Sequence, residues 1–193
     1  MARNNHIYVD YENVREADLS RLAGRTAHVT LVLGKNQKAL PVALVKLIQE
    51  HATQVSLVET ELVGRNALDF VLACELGRQS QLDSSGYFHI LSKDKGFDAL
   101  ILYLKGKGIL AARRESFCEI PALMNHEERL ALISLRYREK LTSRPAKRKT
   151  LETSIHAAFA KELSAKEVGD IIAGLERAKV IEFTEGDRVR YPE

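Results

Sequence analysis

Asp10 closes the apolar run His6-Ile-Tyr-Val-Asp10 and leads straight into Tyr11, Glu12 and Asn13. Asp94 follows a second apolar run, Gly86-Tyr-Phe-His-Ile-Leu91, after Ser92 and Lys93, and Asp98 stands one helical turn further on. Asp69 lies between Leu68 and Phe70 in a window whose other positions are largely apolar. Carboxylates gathered in one place repel, and a cation is the ordinary remedy. Oxygen-only donors favour Mg²⁺ or Mn²⁺ over zinc. A site of that kind activates water and stabilises the charge that develops during phosphodiester hydrolysis.

Each acid also has a plainer explanation. Asp98 falls in the first turn of a helix, where negative charge suits the exposed N–H groups and the dipole. Asp94 suits a helix N-cap or a turn. Asp69 and Asp10 resist such readings, because an unpaired carboxylate inside an apolar helix or at the end of a buried strand is costly. Glu12 and Glu75 read as solvent-facing. His89, inside a strand, reads as a packed or edge histidine, and Cys74 as a core residue. Two cysteines so far apart make neither a disulfide framework nor a zinc site. The six histidines lack metal-like spacing. Gly106-Lys-Gly108 is too short for a phosphate loop. Lys105, Lys107, Arg113 and Arg114 read either as a phosphate track or as scattered surface charge.

The elements that must position these residues alternate. Strands are expected at 6–10, 27–33, 55–59 and 86–91, with a weak fifth at 109–112. Helical windows cover 40–51, 66–78 and 97–105, each with an apolar face. Apolar strands alternating with helices imply a parallel sheet covered on both sides. Ligands in such a sheet sit beyond the carboxyl ends of the strands, near the point where strand order reverses. If the first and fourth strands are neighbours, about 4.8 Å apart, Asp10 and Asp94 can share one ion and Asp69 can reach it from the side.

A further helix is expected over 126–141. The stretch Thr142-Ser-Arg-Pro-Ala-Lys-Arg-Lys149 then reads as a domain boundary. Helices follow over 151–163 and 164–179, the second opened by a Ser164/Glu167 capping box. A hairpin follows, turning near Glu185-Gly186-Asp187. Helix, helix, hairpin outlines a small winged-helix-like module. The expected division is therefore a first domain over 1–141, a basic linker over 142–150 and the module over 151–193.

The 193 residues carry a net charge of +3, with 45% apolar and 28% charged residues, so global disorder is excluded. The charge is unevenly spread: residues 136–149 hold seven Lys and Arg against one Glu. Such a run attracts polyanions, nucleic acid above all, although a solvated helix end explains it as well. No apolar run is long enough to cross a membrane, and no signal-like segment opens the chain, so a reducing cytoplasm is the expected setting.

Four blocks together resemble the PIN-like/NYN group of nucleases: Ile7-Tyr-Val-Asp-Tyr-Glu-Asn13-Val, Val32-Leu-Gly-Lys-Asn36-Gln37-Lys-Ala-Leu-Pro41, Gly64-Arg-Asn66-Ala-Leu-Asp69-Phe and Ile90-Leu-Ser-Lys-Asp94-Lys-Gly-Phe-Asp98. The resemblance implies a three-layer α/β/α domain with strand order 3-2-1-4-5 and a Mg²⁺- or Mn²⁺-dependent nuclease, with RNA preferred to DNA as partner. It implies Asp10, Asp69 and Asp94 as metal ligands and Asp98 as a supporting acid. Asn13 matches the polar residue that steadies the first acid or the scissile phosphate. Asn36, Gln37 and Lys95 are candidate substrate contacts. The resemblance also implies pairing of two copies, and the acidic character of residues 150–193 points to a protein partner on the C-terminal module.

Three functions are therefore weighed. The leading one is a metal-dependent ribonuclease whose basic connector grips phosphates. The second is a non-catalytic nucleic-acid-binding or regulatory protein of the same fold. The third, a phosphohydrolase of the haloacid-dehalogenase type, wants Asp at position 12, where this chain has Glu12.

Overall fold

The run His6-Ile-Tyr-Val-Asp10 has no polar side because both of its faces are covered. In the structure, a computed structural model describing residues 3–139, 144–159, 161 and 163–192, it is the central strand β1 (Asn5–Asp10), buried at every position. Around it lie β2 (Ala27–Leu33), β3 (Val55–Glu59), β4 (Tyr87–Leu91) and β5 (Leu110–Arg114). All pair in parallel, in the order β3-β2-β1-β4-β5. The expected strand order is therefore the order found.

Side chains alternate across a strand, and the two faces of β1 feed separate cores. Ile7 and Val9 pack with Val29, Leu31, Leu44 and the short 3₁₀ turns at Leu19–Leu22, Phe117–Glu119 and Pro121–Leu123. Tyr8 packs with Phe88 and Ile90 under Leu68, Leu72 and Leu76 of α2 (Ala67–Leu82) and Ile101 and Leu104 of α3 (Phe97–Gly106). The helix α1 (Val42–Glu50) belongs to the first of these layers. It begins two residues later than the pattern suggests because Pro41 occupies its N-cap position. The helix α2 runs four residues beyond Arg78, and Ser80 within that extension donates its hydroxyl to the Gly77 carbonyl at 2.8 Å. Its buried positions step by four (68, 72, 76, 80), so Cys74 points away from the core and is exposed, against the expectation for it.

Packing divides the chain at Leu123/Met124, ahead of the linker expected at 142. The second unit holds α4 (His126–Arg138), α5 (Arg148–Ala158), α6 (Ala165–Arg177) and an antiparallel hairpin of β6 (Glu182–Thr184) and β7 (Arg188–Arg190). Ile133 and Tyr137 of α4 share one core with Leu151, Ile155, Phe159, Ile171, Ile172 and Leu175. That shared core is why α4 falls with the second unit. A single antiparallel bridge joins Lys147, just before α5, to Arg188 of β7.

The caps are local and readable. Ser164 Oγ accepts from the Glu167 N–H at 3.2 Å while Glu167 Oε2 accepts from the Ser164 N–H at 2.8 Å, the capping box expected there. The hairpin turns where Gly186 and Asp187 both take positive φ, 74° and 57°, as its tight turn requires. The helix α5 starts at Arg148, inside the expected linker, because Thr150 ties its hydroxyl to the Lys147 carbonyl at 2.8 Å. The expected continuation of α4 to residue 141, the first two linker residues (142 and 143), and residues 160 and 162 of the helix expected over 151–163 lie outside the described residues. Among the described residues no helix is long and apolar enough to cross a membrane.

Candidate active site

The strand order reverses between β1 and β4, and the carboxyl ends of these two strands meet there. Val9 pairs with Leu91, which brings Asp10 beside Ser92. Asp10 is fully buried. Its carboxylate accepts three hydrogen bonds: from the Ser92 hydroxyl at 2.7 Å, the Asn13 amide at 2.7 Å and the Asn13 backbone N–H at 3.3 Å. Asn13 thus bonds the Asp10 carboxylate through both its side-chain amide and its backbone N–H. Ser92 also accepts the Asp94 N–H at 3.0 Å, so one hydroxyl couples the ends of β1 and β4.

Above this buried acid opens a cleft of about 490 Å³. Glu12 and Asn13 line it from the β1 end, Lys35 and Asn36 from the loop after β2, Asn66 and Asp69 from the start of α2, and Asp94 from the loop after β4. The Asp69 carboxyl, half-buried, is held above the usual range. Desolvation contributes most, followed by the negative charges of Asp10, Asp94 and Glu12. Four carboxylates therefore share one field. Asp94 Oδ1 accepts the Gly96 N–H at 2.7 Å, which fixes the loop that carries it.

Other expected residues lie elsewhere. Asp98 is more than half exposed and pairs with Arg113 at 2.8 Å, outside the cleft lining. Arg113 in turn donates to the Ser92 carbonyl at 2.9 Å. Gln37 donates its side-chain amide to the Ala39 carbonyl within its own loop, and Lys95 is exposed on the loop after Asp94. Neither lines the cleft.

Glu12, Lys35 and Asn66 line the cleft without being singled out in the sequence. Glu12 is exposed, as expected of it, yet it faces Asp69 and Asp94. A Cβ on Gly34 would overlap Glu12 Oε1, so the glycine after β2 leaves the room in which Glu12 lies. Asn66 precedes α2 in a left-handed conformation (φ 64°) with no side-chain cap hydrogen bond. A non-glycine residue in that region marks a constrained backbone. The signal in the sequence was Asn placed where a helix cap belongs.

The donor set can be tested against a divalent cation. It is all oxygen and carries excess negative charge, which suits a hard ion. Asp69 already shows the repulsion that a cation would relieve. As placed, no group of three or more His, Cys, Asp or Glu among the described residues is close enough to hold a metal ion. The fit is thus one of donor type and charge.

Residues 4–114, the segment that builds the sheet and the cleft, match the family model of the PIN domain. Neither the curated proteins nor the solved structures yield a match.

Proposed function

The chain belongs to the PIN domain family, whose members are generally nucleases, and we propose that its acidic cleft hydrolyses RNA with the help of Mg²⁺ or Mn²⁺. One observation carries the proposal: Asp69 feels the charges of Asp10, Asp94 and Glu12 together, in an open cleft at the carboxyl ends of β1 and β4. Asp69 and Asp94 would hold the ion, over Asp10. The ion supplies neutralisation of the scissile phosphate and a stronger nucleophile from water.

The chain's own residues prepare that chemistry. Ser92 and Asn13 hold the Asp10 carboxylate in one orientation, so its charge is fixed before substrate arrives. Lys35 and Asn36, on the opposite wall, offer a cation and an amide to phosphate oxygens. The Arg113–Ser92 contact anchors the loop that carries Asp94. In the second unit a helix, an isolated β-bridge at Lys147, two helices and a hairpin follow one another, an order like that of a winged helix. We take this module, with the basic segment before α5, to grip the polyanion.

The test compares labelled single-stranded RNA and DNA with Mn²⁺, Mg²⁺ or a chelator, using the native chain and Asp10→Asn. Cleavage of RNA with metal, abolished by the chelator and by Asp10→Asn with the fold intact, is the expected outcome. Undiminished cleavage by Asp10→Asn would reject the site. Binding that survives the chelator, with no turnover in any metal, would leave a nucleic-acid-binding protein. The open spacing of the carboxylates is the feature that keeps this second reading in view.

A further inference from the structure

A cavity of about 730 Å³ in the second unit takes no part in the cleavage reading. That volume falls in the range of small-molecule sites, about 300–1,000 Å³. Its walls include Arg138 from the end of α4, Arg144, Lys179 just past α6, and the ring of Tyr191. Among the described residues no carboxylate pairs with Arg138, Arg144 or Lys179. Three uncompensated cations around one hollow make an anion site unless structure alone explains them.

The structural explanation accounts for only part of their capacity. Arg138 donates one N–H to the Ala178 carbonyl at 3.4 Å, and Arg144 donates one to the Arg138 carbonyl at 3.3 Å. A guanidinium has five N–H donors in all. The Arg144 guanidinium also lies 5.1 Å from the Tyr191 ring centroid, which holds it in place. Its Nε is shielded from solvent yet makes no hydrogen bond. The Lys179 ammonium, exposed, has no partner among the described residues. Its backbone sits at φ 53°, a left-handed conformation that fixes where the side chain leaves the helix end.

We propose that this cavity binds a phosphate monoester, the terminal phosphate of a nucleic-acid strand. A terminal monoester carries about −1.5 to −2 charges near neutral pH and three acceptor oxygens, which matches three clustered cations better than the single charge of a backbone diester does. Guanidinium groups engage such oxygens in a fork. The surroundings select a nucleic acid over a phosphorylated peptide. Lys147, Lys149 and Arg188 are exposed, and none has a carboxylate partner among the described residues. A polyanion gains from such a surface along its length. Tyr191, partly exposed, adds ring surface for the terminal base. This site is separate from the cleft, so it stands or falls apart from cleavage.

The test uses the full chain in chelator, where cleavage plays no part. Three fluorescent RNA ten-mers of one sequence end in a 5′-phosphate, a 3′-phosphate or hydroxyls only. One phosphorylated end is expected to bind about tenfold tighter than the hydroxyl form, the equivalent of one strong charged contact. Lys179→Gln and Arg144→Gln each reduce that preference. Adenosine monophosphate competes. Because Arg144 also packs on Tyr191 and its variant can disturb the fold, the exposed Lys179 is the deciding position. Equal binding of all three strands, or a preference that survives Lys179→Gln, would overturn the assignment. A phosphotyrosine peptide that displaces the strand as well as the mononucleotide does would overturn the choice of nucleic acid.

Discussion

The two units bury polar groups in different ways. The first buries Asn5, Asp10, His89 and Ser92, and the second, among the described residues, has one deeply buried charge, Arg129, held by Glu167 at 2.7 Å. In the first unit Asp10 and Ser92 sit at the carboxyl ends of β1 and β4, where the sheet opens onto the cleft, whereas Asn5 begins β1 and His89 lies midway along β4. His89 there keeps a ring nitrogen, Nδ1, that is buried and unpartnered. In the second unit the charge bridges α4 and α6 through one Arg129 N–H to Glu167, while the Arg129 Nε is buried without a partner. Asp10 and Ser92 thus serve the open end of the sheet, and Arg129 ties two helices together. The electrostatic signs differ as well: the first unit's cleft gathers carboxylates and the second unit's cavity gathers cations.

The sharpest way to break this contrast is to neutralise the cleft. Asp69→Asn and Asp94→Asn should each lower metal-dependent RNA cleavage by about 100-fold or more, the usual scale for removing a preorganised charge at a phosphoryl site. Asp69→Asn also removes a carboxylate under repulsion from three others, so thermal unfolding of the first unit should hold or rise slightly. Loss of activity without loss of stability assigns the acids to chemistry. A parallel fall in melting temperature would mean that they serve packing.

Much of this site was legible in the sequence. Asp10 and Asp94 could be placed because buried parallel strands read as unbroken apolar runs, and whatever follows such a run lies at the sheet's carboxyl edge. The strand order came from the family resemblance, and the pairing of β1 with β4 agrees with it. Glu12 was passed over because exposure and cleft lining look alike in a sequence. Asp98 entered through the family resemblance, and no spacing reveals that Arg113, fifteen residues on, draws it aside. The 3₁₀ turns were missed because segments of three or four residues carry no periodicity. The helix α4 was counted with the first domain because Pro145 and the charge run are stronger punctuation than the core that α4 shares with α5 and α6.

Acid should separate the two units. Burial, aided by the charges of Arg114 and His6, pushes the His89 imidazole down to about 3. Asn5 Oδ1 lies 2.9 Å from its Nε2, so a proton gained at Nδ1 would meet no acceptor. The folded first unit therefore keeps His89 neutral where the unfolded chain protonates it. That contribution is complete above pH about 6.5 and shrinks as pH falls, by about 1.4 kcal/mol per pH unit, or about 2 kcal/mol by pH 5. Glu167 behaves differently. Burial opposes its charge, but the Ser164 N–H and Arg129 outweigh it and hold the carboxyl down to about 2. Its contribution is complete above the ordinary glutamate range and fades only between pH about 4.5 and 2. Asp69 acts with the opposite sign, since protonation relieves its repulsion, but only within the carboxylate range. Hydrogen exchange followed from pH 7 to pH 5 should show amides of the first unit opening while those of the second stay protected. Simultaneous weakening of both would contradict the division of buried charge drawn above. His89→Asn, which removes the titrating ring, should flatten the first unit's response.

The smallest effect expected marks the edge of the cleft. Asp98 is 57% exposed and its partner Arg113 is 14% exposed. Exposed ion pairs contribute about 0–1 kcal/mol. Arg113 also bonds Glu115 at 3.1 Å and the Ser92 carbonyl at 2.9 Å, so it stays anchored when Asp98 is lost. Asp98→Asn should therefore slow cleavage by no more than about threefold, which corresponds to well under 1 kcal/mol of barrier, and should leave the metal concentration for half-maximal rate unchanged. Arg113→Gln should act more strongly, because it frees the backbone of Ser92 and through it both Asp10 and Asp94. A loss on Asp98→Asn as large as that on Asp94→Asn, with a raised metal requirement, would show that the working site extends past Arg113. The helix start at α3 would then belong to the chemistry, and the pairing seen here would be a resting arrangement that substrate or metal displaces.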